Sequence, residues 1–310
     1  MDNPEGSLTS VGAARLRAAH QLLDGSPKLL ADPVILQLLD TGQLEEIRNN
    51  PGYFQEPRLL GLRSHIILRS RYTEDRLAQA FARGIRQYLL LGAGLDTFAW
   101  RRPPGMSDLM VFEADHPATQ EQKRQRLLRA GIGYPDHYER IPVNFEPERA
   151  GDLKPGRPGG PEPERAGDFE PKRPGGPEPA TLRDALEKST FDLTVPSFVS
   201  CLGVMIYLSG EALDGIFRCI AGLPAGTEFV FTFGRRRSLP DMDQTASRVA
   251  EAGEPWRTFY EPDELEAKLR AMGYASIRFL EAAEAAALYY TGRAHGLPVP
   301  LRCSIATATV

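Results

Sequence analysis

A pair of glycines and a pair of acids are the first residues of the 310-residue chain that could do chemistry together. Gln87-Tyr88-Leu89-Leu90-Leu91 runs straight into Gly92-Ala93-Gly94. A continuous apolar run closed by glycines predicts a strand buried on both faces of a parallel sheet, followed by a turn that a ligand can approach closely. A second apolar run, Leu109 to Phe112, ends in Glu113-Ala114-Asp115. There a carboxylate can accept hydrogen bonds from ribose hydroxyls. In a doubly wound sheet, ligands sit beyond the carboxyl ends of the strands, so this spacing places turn and acids at one nucleoside site.

Glycines after a buried strand also serve the turn alone, and a bare G-x-G with a following acid fits two kinds of nucleoside. The dinucleotide pattern needs a third glycine for a helix to pack around a pyrophosphate. Here that position is Thr97. Asp96 beside it would repel phosphate, whereas S-adenosylmethionine has no phosphate and carries a cationic sulfonium and ammonium. Charge therefore favours the methyl donor over NAD.

The strings QYLLLGAGLDTFAWR at 87–101 and VFEADHPATQEQKRQRL at 111–127 resemble the leucine carboxyl methyltransferase family. The likeness is to bacterial members related to polyketide carboxyl O-methyltransferases. LRSRYTEDRL at 68–77, CLGVMIYL at 201–208 and GEPWRTFYEPDEL at 253–265 extend it over most of the chain. The resemblance implies a class I, Rossmann-like methyltransferase fold that uses S-adenosylmethionine. It also implies site roles. Arg69, with Arg71 as a neighbouring candidate, would hold the methionine carboxylate, a bidentate task suited to arginine. Gly92 and Gly94 would line the donor, Asp115, in an E-x-D-x-P context seen here as Glu113, Asp115 and Pro117, would bind the ribose, and Asn144 and Phe145 would lie near the adenine. Asn144 departs from the family's commoner aspartate, and Ser200, Cys201 and Leu202 stand where relatives often carry a glutamate.

The expected reaction is methyl transfer to a carboxylate of a small-molecule acid, a secondary metabolite by resemblance. A carboxylate is already ionised at neutral pH and needs no base, so positioning in a water-excluding pocket supplies the rate. A phenol or alcohol acceptor would gain from a base. No residue stands out as that base; Tyr289, Arg293 and His20 are the catalytic candidates, and His116 reads as orienting the ribose acid. An NAD-dependent oxidoreductase and a non-catalytic S-adenosylmethionine-binding protein are the rival readings.

The elements that must position these residues follow from periodicity. Residues 11–39 carry a helical apolar stripe broken at Ser26-Pro27, with a helix start at Asp32-Pro33. A further helix precedes Gln87. Strands alternating with helices then predict a doubly wound, mostly parallel α/β sheet of seven strands. Strands are expected near 87–91, 109–112, 138–143, 191–200, 228–233 and 276–280, with 301–310 as a seventh, edge strand, antiparallel pairing of the last two being open. The organisation expected is an N-terminal helical cap over 1–80 and a methyltransferase domain over 81–310. Residues 146–161 and 162–177 are near-identical copies rich in Pro, Gly and charge, read with their flank to 180 as a disordered surface insertion.

Composition excludes other classes. A net charge of -4 gives no basic footprint for nucleic acid, and the run Arg235-Arg236-Arg237 reads as a solvated turn. Cys201, Cys219 and Cys303 lack metal spacing and read as small buried hydrophobes, so no metal is expected. There is no apolar run long enough to span a membrane and no signal peptide, which predicts a cytoplasmic protein. Homo-oligomer formation is left open.

Overall fold

The computed structural model describes residues 7–146, 181–236, 256–301 and 303–310. Of the tandem-repeat insertion at 146–180, residues 147–180 lie outside the described residues. Before any strand come five helical segments: α1 (Leu8–Leu23), α2 (Pro33–Leu38), α3 (Thr41–Asn49), α4 (Pro51–Phe54) and the long α5 (Pro57–Ala82). Local signals set their starts. Ser7 caps α1 by accepting from the Ser10 N–H, and Asp32 caps α2 ahead of Pro33. The segments α3 and α4, which no periodicity in 41–54 predicted, begin at an Asp40–Gln43 capping box and at Pro51.

The sheet holds seven strands in the order β3-β2-β1-β4-β5-β7-β6. These are β1 (Gln87–Leu91), β2 (Met110–Asp115), β3 (Tyr138–Pro142), β4 (Phe198–Cys201), β5 (Glu228–Thr232), β6 (Ser276–Phe279) and β7 (Ile305–Thr309). The first five pair in parallel, while β7 is antiparallel to both β5 and β6. The expectation that the last strand forms the edge is therefore corrected: β7 inserts between β5 and β6, and β6 is the edge. Burial agrees, since Ile305, Ala306 and Ala308 are fully covered while β6 alternates exposed and half-buried residues. The fourth strand is also shorter than its apolar run. Thr194 folds back onto Asp192 in an Asx turn, and Pro196 removes a ladder donor just before the strand.

Alternation along the strands divides the core. Leu89, Leu91, Phe112, Ala114, Val199 and Phe231 point to one face, under α8 (Leu182–Glu187), α9 (Gly210–Ala221) and α10 (Pro262–Ala271). Tyr88, Leu90, Val111, Phe198 and Val230 point to the other, against Ile67, Leu68, Tyr72 and Leu77 of α5. A third cluster joins Ala14, Leu16, Ala18 and Ala19 of α1 to Ile35, Ile47, Phe54 and Ile66. It includes Leu95, so the N-terminal helices are packed directly onto the glycine turn after β1. The three cysteines are buried and unbridged, as small hydrophobes. Among the described residues no helix is long and apolar enough to cross a membrane.

Candidate functional site

The strand order reverses between β1 and β4, and the cavity opens there, beyond the carboxyl ends of β1 to β4. Its volume is about 460 Å³, within the range of small-molecule sites. The loop after β1 forms its floor. Gly92 has φ +67, and a Cβ there would lie 2.2 Å from Val204 Cγ2, so backbone conformation and close packing both require glycine.

Two backbone amides hold the acid at the end of β2. Gly94 N–H donates to Asp115 Oδ2 at 2.6 Å, and His116 N–H donates to Oδ1 at 2.7 Å. The carboxylate is thereby fixed across the strand ends, at the edge of the cavity it lines. His116 orients this acid through its backbone; its Nδ1 accepts the Ala118 N–H at 3.2 Å and caps α7 (Pro117–Arg129).

Glu113 does not join the site. It shares a sheet face with Val111 and lies beneath α7, where Lys123 Nζ contacts its two oxygens at 2.7 and 2.6 Å and the Tyr138 hydroxyl donates at 2.8 Å. Only 2% of it is exposed. The strand continues past it, so its carboxylate ends up within the sheet layer and Asp115 alone reaches the rim.

Asp96 does line the cavity, with its charge held from beneath. Its Oδ1 accepts the Phe98 N–H at 2.7 Å, and Arg17 Nη1 stands 3.7 Å from Oδ2. Burial pushes its pKa up, but Arg17 and Arg101 together outweigh this and keep it below the usual range, hence ionised. Arg17 also bonds Asp32 Oδ2 at 2.5 Å and Thr97 Oγ1 at 2.9 Å, while Thr97 donates to Asp32 Oδ1 at 2.7 Å. Arg101 donates to the same threonine hydroxyl at 2.9 Å and pairs with Glu74. The residue standing where a dinucleotide fold needs glycine is thus the hub of a buried ionic network.

Arg69 descends from α5 into the opposite wall. Among the described residues no carboxylate pairs with its guanidinium. Burial lowers its pKa to about 10, Tyr207 opposing this and Arg17 adding to it, so it stays charged. A recessed guanidinium facing a cavity calls for an anion, and a ligand carboxylate meets that need. Arg71, two residues on and so on the opposite side of the helix, points outward to Asp75 at 2.7 Å and does not line the cavity. Asn144 and Phe145 line the far end beyond β3. Asn144 Oδ1 accepts the Glu146 N–H at 3.0 Å, which leaves its amide nitrogen for a base edge.

None of the three catalytic candidates lines the cavity. His20 is fully buried, with Nδ1 2.7 Å from Asp24 Oδ2 and Nε2 accepting the Leu30 N–H at 3.4 Å. Tyr289 is buried in the core on the α5 face, and Arg293 is exposed after β6. All three are structural or surface groups. Sequence reasoning also missed cavity residues: Arg17, read as part of an apolar helix, Ser200, and the wall formed by Ser7, Ser10 and Ala13 of the first helix.

Sheet order, the reversed final strand and a cavity at the switch point define a class I, Rossmann-like methyltransferase fold. Within that class, residues 10–154 match the model of the leucine carboxyl methyltransferase family. A Bacillus subtilis protein named "Putative S-adenosyl-L-methionine-dependent methyltransferase YktD" is 26% identical over 325 residues, covering 96% of this chain and 95% of that protein. A Mycobacterium ulcerans protein of the same description is 32% identical over 222 residues, or 69% of this chain and 61% of its own length. Among solved structures, a DUF574 family protein from Streptomyces avermitilis covers 95% of both chains at 14% identity and a TM-score of 0.49. The chain is an S-adenosylmethionine-dependent methyltransferase.

Proposed function

We propose that the acceptor is the carboxylate of a small-molecule acid, in keeping with a role in secondary metabolism, and that the product is its methyl ester. Bound in this cavity, S-adenosylmethionine supplies an electrophilic methyl group. The chain's own residues bind and shield it: Arg69 takes the methionine carboxylate, Asp96 faces the amino end, Asp115 takes the ribose, and Asn144 with Phe145 takes the adenine. The first helix closes over the turn, with Ser10 in contact range of Gly94.

The observation that carries this reading is the commitment of the cavity's acids and of its imidazole nitrogen. Asp96 is committed to Arg17, Asp115 to two backbone amides, Glu146 to the Ser209 N–H, and the acceptor nitrogen of His116 to its helix cap. None is disposed to remove a proton from an alcohol or phenol. An acid acceptor arrives without that proton and needs only in-line placement in a dry pocket.

The test is an assay with methyl-labelled donor against matched panels of carboxylic acids and phenols. Mild hydroxide treatment of the product releases labelled methanol from an ester and leaves an ether intact. Base-stable label accumulating only with phenols would overturn the assignment.

A further inference from the structure

We infer that Ser200, held by Tyr88, is an anchor for the ammonium group at the amino-acid end of the donor. The inference rests on the cavity being the donor site and goes beyond it by assigning a residue on β4 to a specific group of the ligand.

An α-ammonium presents three N–H donors, and each one left unmatched in a recess costs binding energy. The acids on the described cavity wall, Asp96, Asp115 and Glu146, each already hold protein partners. Asp115 accepts two backbone amides, and Asp96 already serves the Phe98 amide and Arg17. Ser200 is a further acceptor on that wall. It lines the cavity, is only 2% exposed, and pairs in register with Leu90, two residues before Gly92.

Alternation fixes where it points. Tyr88, Leu90 and Phe198 face the α5 side of the sheet, and Ser200, two residues after Phe198, has the same parity. Arg69 comes down from α5 on that side, so carboxylate and ammonium binders meet across the same end of the cavity. The Tyr88 hydroxyl lies 2.9 Å from Ser200 Oγ. Burial raises the Tyr88 pKa well above its ordinary value, so the phenol remains protonated. Whichever hydroxyl donates, the serine oxygen keeps a lone pair for the ligand and has its rotamer fixed in advance. That preorganisation separates it from a serine that merely fills space.

The experiment is calorimetric titration of the full chain with three ligands. S-adenosylhomocysteine carries both amine and carboxylate, decarboxylated S-adenosylmethionine carries only the amine, and methylthioadenosine carries neither. Ser200→Ala should weaken the first two about 10-fold and leave methylthioadenosine unchanged. Arg69→Met should weaken only S-adenosylhomocysteine. Should Ser200→Ala prove unstable through the unpaired Tyr88 hydroxyl, the double variant Ser200→Ala/Tyr88→Phe removes both groups and should give the same pattern. Equal loss for all three ligands, or no loss for the amine-bearing ones, overturns the assignment. Failure of the underlying site is read separately, as Asp115→Ala leaving all three affinities at the wild-type level.

Discussion

The carboxylate of Asp115 reaches back across two strand ends to take the Gly94 amide at 2.6 Å. One residue thereby ties the turn after β1 to the end of β2 and also faces the cavity. Asp115→Ala should lower affinity for S-adenosylhomocysteine by 10-fold or more, because both the ligand contact and the shape of the turn are lost, at about 1.5–3 kcal/mol for a hydrogen bond to a charged group. Asp115→Asn should fall between, since it keeps one acceptor for one amide. Titration calorimetry on the three proteins gives the order.

Glu113, two residues earlier, should behave in the opposite way. Its oxygens are taken by Lys123 and Tyr138 inside the protein. Glu113→Gln leaves the Lys123 ammonium buried without a counter-charge, which costs about 3–5 kcal/mol of stability when one partner of such a pair is removed. Ligand affinity of the surviving fold should stay within about twofold, well below the effect of losing a contact to a charged group. A tenfold loss of affinity with unchanged melting temperature would return Glu113 to the site.

These two acids show how far the sequence could be read. The apolar run into Gly92-Ala93-Gly94 and the acids ending β2 are local patterns, and the structure places the turn and Asp115 on one cavity. Glu113 and Asp115 have the same parity, and what separates them is the last residue of a strand, a boundary that propensity fixes poorly. Arg17 was invisible because its partners, Asp32 and Thr97, lie 15 and 80 positions away and meet it only once α1 packs on the glycine turn. The place of β7 was equally non-local. Its Thr- and Ala-rich alternation suits an edge, and only pairing with both β5 and β6 buries it. Ser200 stands where relatives often carry a glutamate, but a small residue within an ordinary buried strand gives no local sign of a ligand contact.

Arg17 is the support beneath Asp96, and its removal should be felt first as instability. Asp32 is fully buried and Asp96 partly so, and both would lose a close counter-charge in Arg17→Met. A loss of about 3–5 kcal/mol is expected on the scale of broken buried ion pairs. Adding Asp32→Asn to Arg17→Met should recover part of it, because the uncompensated charge is gone. Thermal melts of the single and double variants test this; additive losses would mean that the pair is not coupled.

Stability should also fall on mild acidification. Burial drives the His65 imidazole down to about 3, with repulsion from Arg69 adding to it, and burial lowers His20 against the pull of Asp24. In the folded chain both bind a proton less readily than in the unfolded one, which takes it up once the pH drops below about 6.5. The unfolded state therefore binds more protons in this window, and stability rises with pH through it and is lost as pH falls. At pH 5.5 His65 alone accounts for about 1 kcal/mol relative to pH 7.5. Chemical denaturation of wild type and His65→Leu at both values isolates it: the difference between the two proteins should shrink as the pH is lowered, and a constant difference would refute the assignment.

Gly203 should control the carboxylate end of the ligand without touching it through a side chain. Its φ is +75, and a Cβ there would lie 2.5 Å from Arg69 Nη1 and 2.8 Å from Nη2. Gly203→Ala therefore carries a left-handed backbone penalty of about 1–2 kcal/mol and also displaces the guanidinium from the wall that positions it. Stability and affinity should fall together for S-adenosylhomocysteine. For decarboxylated S-adenosylmethionine, which has no carboxylate for Arg69 to hold, affinity should fall far less. A displaced arginine predicts that split, whereas a collapsed loop would weaken both ligands alike, so the ratio of the two dissociation constants, rather than either one alone, decides whether Arg69 acts from this position.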